Sequence, residues 1–203
     1  MHQIIEYIKT KYSPIGIIVY GSFADGSNND NSDFDVLVIT ESGTPLHDNT
    51  IVDGVMLDAF IVQKENFLGN VDCEEYLQIH DGVVVLDVYG VAEELKSQVQ
   101  EHIDNIPLKT YEENKVSVAW CEKMLLRAKR DDIEGRFRWH WLLTESLEIY
   151  CDVIGKRYLG PKKSIKRMMS EDKDSYFIYE KALTNFDYSL LSKWICHIKG
   201  LLK

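Results

Sequence analysis

The spacing of apolar residues along the chain separates two kinds of pattern. Ile4, Ile5 and Ile8 fall at helical spacing, which predicts a helix over about His2–Tyr12, stopped by Pro14. Short β-branched runs follow: Ile15–Tyr20, Asp33–Thr40, Val55–Val62 and Val83–Tyr89 read as strands. Ser27–Ser32 (SNNDNS) and Gly43–Thr50 read as loops, and Asp53-Gly54 as a tight turn. Glu74–His80 predicts a short helix and Val91–Ile103 a longer one. Beyond Asn105–Thr110 the strand signal stops. Tyr111–Lys129, Arg136–Ile154, Ser164–Met169, Ser175–Leu183 and Tyr188–Leu202 all carry helical periodicity. The expected fold is α+β: a small mixed sheet with flanking helices over residues 1–106, then a helical bundle over residues 107–203.

Charge divides at the same place. The chain of 203 residues has a formal net charge of −10, but residues 1–110 hold 5 Lys/Arg against 19 Asp/Glu, whereas residues 111–203 hold 18 against 14. Duplex nucleic acid is a poor partner for so acidic a first half, because phosphate neutralisation needs a basic footprint. Divalent metals or a cationic small substrate suit it better. No apolar run approaches the ~20 residues that span a bilayer, so no membrane partner is expected. The N-terminus lacks a signal-peptide pattern, so the expected location is the cytoplasm. The 4 cysteines, Cys73, Cys121, Cys151 and Cys196, form no CxxC pair and are expected to be reduced.

The chemistry concentrates in Gly21–Thr40, GSFADGSNNDNSDFDVLVIT. Gly21 lets backbone approach a phosphate closely, and Ser22 stands where a helix begins, offering a hydroxyl and free N–H groups. Asp33 and Asp35 are two apart on a strand, so both carboxylates leave one face. Two carboxylates so placed repel each other unless a cation lies between them, and oxygen donors suit Mg²⁺. Asp58 is the lone ionisable residue inside the apolar run VMLDAFIV. A buried unpaired carboxylate is costly, so Asp58 is expected to face the same metal and to help deprotonate an attacking hydroxyl.

The arrangement of Gly21, Ser22, Gly26, Ser32, Asp33 and Asp35, followed by Asp58 on a later strand, resembles the DNA polymerase β-like nucleotidyltransferase superfamily. That resemblance implies transfer of a nucleoside monophosphate, most simply AMP from ATP, to a hydroxyl with Mg²⁺ and release of pyrophosphate. It makes Asp33, Asp35 and Asp58 the catalytic and metal-binding residues, and places the nucleotide at Gly21, Ser22 and Ser32. The helical half, with RAKRDD at Arg127–Asp132 and YLGPKK at Tyr158–Lys163, is similar to that of kanamycin-type antibiotic enzymes. This looser likeness implies a small-molecule hydroxyl acceptor, such as an aminoglycoside, a phosphate contact from Lys162 or Lys163, and an acceptor-binding or auxiliary role for Glu145. A basic, solvated helix start is the competing reading of the two lysines. Asp25 stands where many small relatives carry Arg.

Two other readings stay open at this point. One is a non-catalytic, antitoxin-like fold that binds a partner. The toxin partners of such proteins carry an Arg–His pair with four to six residues between, whereas Arg136 and His140 have three, so no fused toxin is indicated. The other is AMP transfer onto a protein side chain. A monomer or a homodimer is equally compatible with the sequence.

Overall fold

The computed structural model describes residues 1–67, 69 and 71–202. The chain forms two compact units, Met1–Ile106 and Pro107–Lys203.

In the first unit, helix α1 (His2–Tyr12) buries Ile4, Ile5 and Ile8 and ends at Ser13, which takes a left-handed conformation one residue before Pro14. The strands are β1 (Gly16–Val19), β2 (Phe34–Thr40), β3 (Leu46–Asp48), β4 (Ile51–Val52), β5 (Val55–Gln63) and β6 (Val83–Asp87). They run in the order β3-β5-β2-β1-β6, with β4 paired to β5. Among the described residues β2 and β5 are the only parallel pair; the other pairings are antiparallel, so the sheet is mixed. A short helix α2 (Gly21–Asp25) follows β1, and α3 (Val91–Asn105) follows β6.

Both faces of the central strands are covered, which explains the unbroken apolar run in β2. Val19, Phe34, Val36, Val38, Leu57, Ala59 and Ile61 share one core with the isoleucines of α1. Ile18, Leu37 and Ile39 are buried on the opposite face, and α3 packs against β1 and β6.

Two local expectations change. Gly43–Thr50 is not all loop, because Leu46–Asp48 pairs antiparallel with the edge of β5, with His47 opposite Phe60 and Asp48 opposite Ala59. Three residues after Pro45 are too short to show alternation, and what holds them is long-range. Asp48 is 6% exposed and its carboxylate accepts from Tyr12 at 2.6 Å, Lys11 at 3.0 Å and the Thr50 backbone N–H at 2.9 Å. This ties the edge strand to α1. The segment expected as a helix at Glu74–His80 is a 3-10 helix over Cys73–Ile79, started by the Asp72 side chain. The turn at Asp53-Gly54 forms with both residues at positive φ, the conformation a two-residue hairpin needs.

The second unit holds α4 (Tyr111–Ala128), α5 (Ile133–Val153), α6 (Pro161–Glu171), α7 (Lys173–Thr184) and α8 (Tyr188–Leu201). Local signals set their starts. Thr110 and Glu113 form a reciprocal capping box on α4, and Asp132, Asp172 and Asp187 each accept a backbone N–H at the start of α5, α7 and α8. Asp132 explains why α5 begins earlier than Arg136. The core gathers around fully buried Trp194, whose indole N–H donates to Ser146 Oγ at 2.9 Å.

Candidate active site

The site grows from the pleat of β2 and β5. Strand alternation sends Phe34, Val36 and Val38 toward α1, so Asp35 leaves the other face. The parallel pairing puts Asp58 directly opposite Asp35, and its odd neighbours Leu57 and Ala59 also point to the α1 core. Asp58 therefore shares the face of Asp35. Asp33 stands just before β2. One carboxylate oxygen from each of Asp33, Asp35 and Asp58 lies within 4.8 Å of the others. Among the described residues no other three His, Cys, Asp or Glu side chains close in this way.

The turn beside them is built to spare that space. Gly21 has φ +66°, and a Cβ at this position would lie 2.1 Å from Asp35 Oδ2. Glycine is required both for the left-handed backbone and for the room that the Asp35 carboxylate occupies. The Tyr20 N–H donates to the Asp35 carbonyl at 3.1 Å, which fixes the turn against β2. The Ser22 carbonyl accepts from Gly26, Ser27 and Asn28, closing the loop that follows. Ser22 itself is 6% exposed. Ser32 Oγ accepts from the Asn29 N–H at 2.9 Å, so this hydroxyl braces the Asn29–Ser32 loop that delivers Asp33. Asp25 Oδ1 accepts from the Ser27 N–H, an acidic side chain used locally to shape the turn.

Three acidic groups on one face create a strong negative field. Tyr20 is buried close by: burial pushes its phenol well above the ordinary value, and the nearby Asp58, Asp35 and Asp33 charges push it further. At an effective dielectric of ~20, two unit charges ~5 Å apart repel by about 3 kcal/mol. The donor set is entirely oxygen, which fits Mg²⁺ or Mn²⁺ in preference to zinc or copper. Among the described residues no Lys or Arg side chain is hydrogen-bonded to Asp33 or Asp58; the partner of Asp58 is His47. Its Nε2 lies 2.6 Å from Asp58 Oδ1.

The sequence reading missed His47 and Tyr20. Tyr20 is the residue before Gly21, where it passes as the end of a strand. His47 gives no local signal, since its strand exists only through its pairing with β5. Of the other expected residues, Lys162 and Lys163 occupy the first turn of α6 in the second unit, Lys162 exposed and Lys163 half-buried, and Glu145 is exposed on α5.

Residues 1–140 match the family model of the nucleotidyltransferase domain. Among solved structures, a nucleotidyltransferase-like protein from Exiguobacterium sibiricum 255-15 is similar over 98% of this chain and 74% of its own, at 15% identity and a TM-score of 0.46. No curated protein sequence matches the chain. The family match spans the glycine turn and all three converging aspartates, and it runs over more than half of the protein: the chain belongs to the nucleotidyltransferase domain family and is a nucleotidyltransferase.

Proposed function

We propose that this enzyme transfers AMP from ATP to a hydroxyl of a small molecule, using Mg²⁺ held by Asp33, Asp35 and Asp58. The observation that carries the reading is the convergence of three carboxylate oxygens within 4.8 Å beside a turn whose glycine leaves space only for one of them. Bound there, divalent cations would supply positive charge to the triphosphate oxygens. The protein's own residues do the rest. Asp33 and Asp35 fix the metal position from one strand face, while the Gly21-Ser22 turn offers backbone to the triphosphate. Asp58 Oδ2, the oxygen not engaged by His47, receives the proton of the attacking hydroxyl. The hydroxyl oxygen bonds to the α-phosphorus, the bond to the α,β-bridging oxygen breaks, and pyrophosphate carries away the electron pair.

The acidity of the first 110 residues supports a cationic acceptor such as an aminoglycoside, whose approach a negative potential would favour. The test is transfer of label from α-labelled ATP in the presence of Mg²⁺ to a panel of aminoglycosides and neutral hydroxylated compounds. Wild type is expected to label a cationic acceptor. Asp35→Asn is expected to lose at least ~3 kcal/mol of transition-state stabilisation, a rate loss in the hundreds. Undiminished transfer by Asp35→Asn overturns the site assignment. Label found only on protein side chains leaves the chemistry and replaces the acceptor.

A further inference from the structure

His47 stands against the third carboxylate in a way that surface packing does not require. Its side chain is 48% exposed, yet its orientation is fixed from three directions. The ring stacks on Phe60 with centroids 4.5 Å apart and planes 13° from parallel. Nε2 lies 2.6 Å from Asp58 Oδ1. The backbone beneath is locked by the next residue: Asp48 points to the opposite face, into Tyr12, Lys11 and Thr50. Strand alternation then leaves His47 only the face that carries Asp58 and Phe60. An anchor behind the sheet thus aims an imidazole N–H at a carboxylate in front of it.

From this we infer that His47 is a positioning residue for Asp58: it donates to Oδ1 and fixes the carboxylate so that Oδ2 is presented to the cation and the acceptor hydroxyl. This inference rests on the reading of Asp33, Asp35 and Asp58 as the cation seat. A carboxylate ligand on a strand rotates about two side-chain torsions, and a partner on one oxygen removes that freedom before the metal arrives. Outer partners of this kind typically change metal affinity 10–100-fold when lost. Stability should hardly respond, because exposed pairs contribute little to folding.

The test uses the full chain and Mn²⁺ alone, followed by loss of the free-ion electron paramagnetic resonance signal, with a thermal melt of every variant. His47→Phe keeps a ring over Phe60 and removes the donor; His47→Gln restores an N–H. The expected result is a 10–100-fold weaker Mn²⁺ affinity for His47→Phe, recovery to within about threefold of wild type for His47→Gln, and unchanged melting for both. Asp58→Asn serves as the reference and should bind Mn²⁺ poorly. Wild-type Mn²⁺ binding by His47→Phe, with Asp58→Asn impaired, overturns the role of His47 and leaves the site. Equal impairment of the Phe and Gln variants, or a lowered melting temperature in both, also overturns it, because a donor is then not what matters. Wild-type binding by Asp58→Asn removes the cation seat itself, and the positioning role with it.

Discussion

Replacing Gly21 by alanine separates two costs that a glycine usually conceals. The first is backbone conformation: at φ +66° an L-residue is strained by roughly 1–2 kcal/mol. The second is space, since the new Cβ would stand 2.1 Å from Asp35 Oδ2 and 2.8 Å from its Cγ. The carboxylate must swing away by more than an ångström to restore contact distance. Off-rotamer displacement costs only about 0.5–1.5 kcal/mol of stability, but it removes a ligand from the proposed cation seat. Gly54→Ala is the control. Its φ is +80° and its Cβ would meet nothing within 4 Å, so it carries the conformational cost alone. Both variants should melt lower, by about 4–8 °C per kcal/mol for a unit of this size. Calorimetric Mn²⁺ titration should then divide them: Gly54→Ala binds like wild type, and Gly21→Ala loses at least tenfold, about 1.4 kcal/mol. Equal Mn²⁺ affinity in the two variants would refute the claim that Gly21 guards the Asp35 position.

Two predictions concern the scaffold. Burial pushes the Asp48 carboxyl up, but the hydrogen bonds from Thr50, Tyr12 and Lys11 outweigh it and hold the group well below the ordinary 3.8. A depressed native value means that the stabilisation is full above the unfolded value and is lost as pH falls below it toward the native one. Asp48→Asn should therefore cost about 1–3 kcal/mol near neutral pH and show a flatter acid limb, measured by urea unfolding between pH 2 and 7. In the second unit, Ser146→Ala leaves the indole N–H of fully buried Trp194 without its acceptor. A loss of about 1–3 kcal/mol is expected in urea unfolding followed by tryptophan fluorescence, and an unchanged midpoint would contradict the assignment of that bond.

The aspartates were legible in the sequence for reasons that are local. Asp33 and Asp35 declare a shared face through their period of two, and Asp58 stands out because a charge interrupts an apolar strand. Their meeting depends on the parallel pairing of β2 and β5, which sets Asp58 opposite Asp35 and is not written in either strand alone. Helix starts were legible at Tyr111 and Tyr188, just after the capping side chains of Thr110 and Asp187, and shifted where Asp132 caps α5 ahead of the apolar pattern and where Pro161 opens α6 three residues before Ser164. His47 was hidden because its strand is three residues long and is held by contacts with α1, 36 or more residues away in sequence. In the sequence, Ser22 and Ser32 stand out for their hydroxyls. What the fold adds is the use of the Ser22 carbonyl and the Ser32 oxygen to brace the loop that carries Asp33.

The most direct measurement of the central claim is anomalous scattering from crystals of the full chain soaked with Mn²⁺ and a non-hydrolysable ATP analogue. The expected result is an Mn²⁺ peak among the carboxylate oxygens of Asp33, Asp35 and Asp58, with the triphosphate against the Gly21-Ser22 turn. Mn²⁺ bound elsewhere, with those three side chains bare beside an ordered nucleotide, would contradict it.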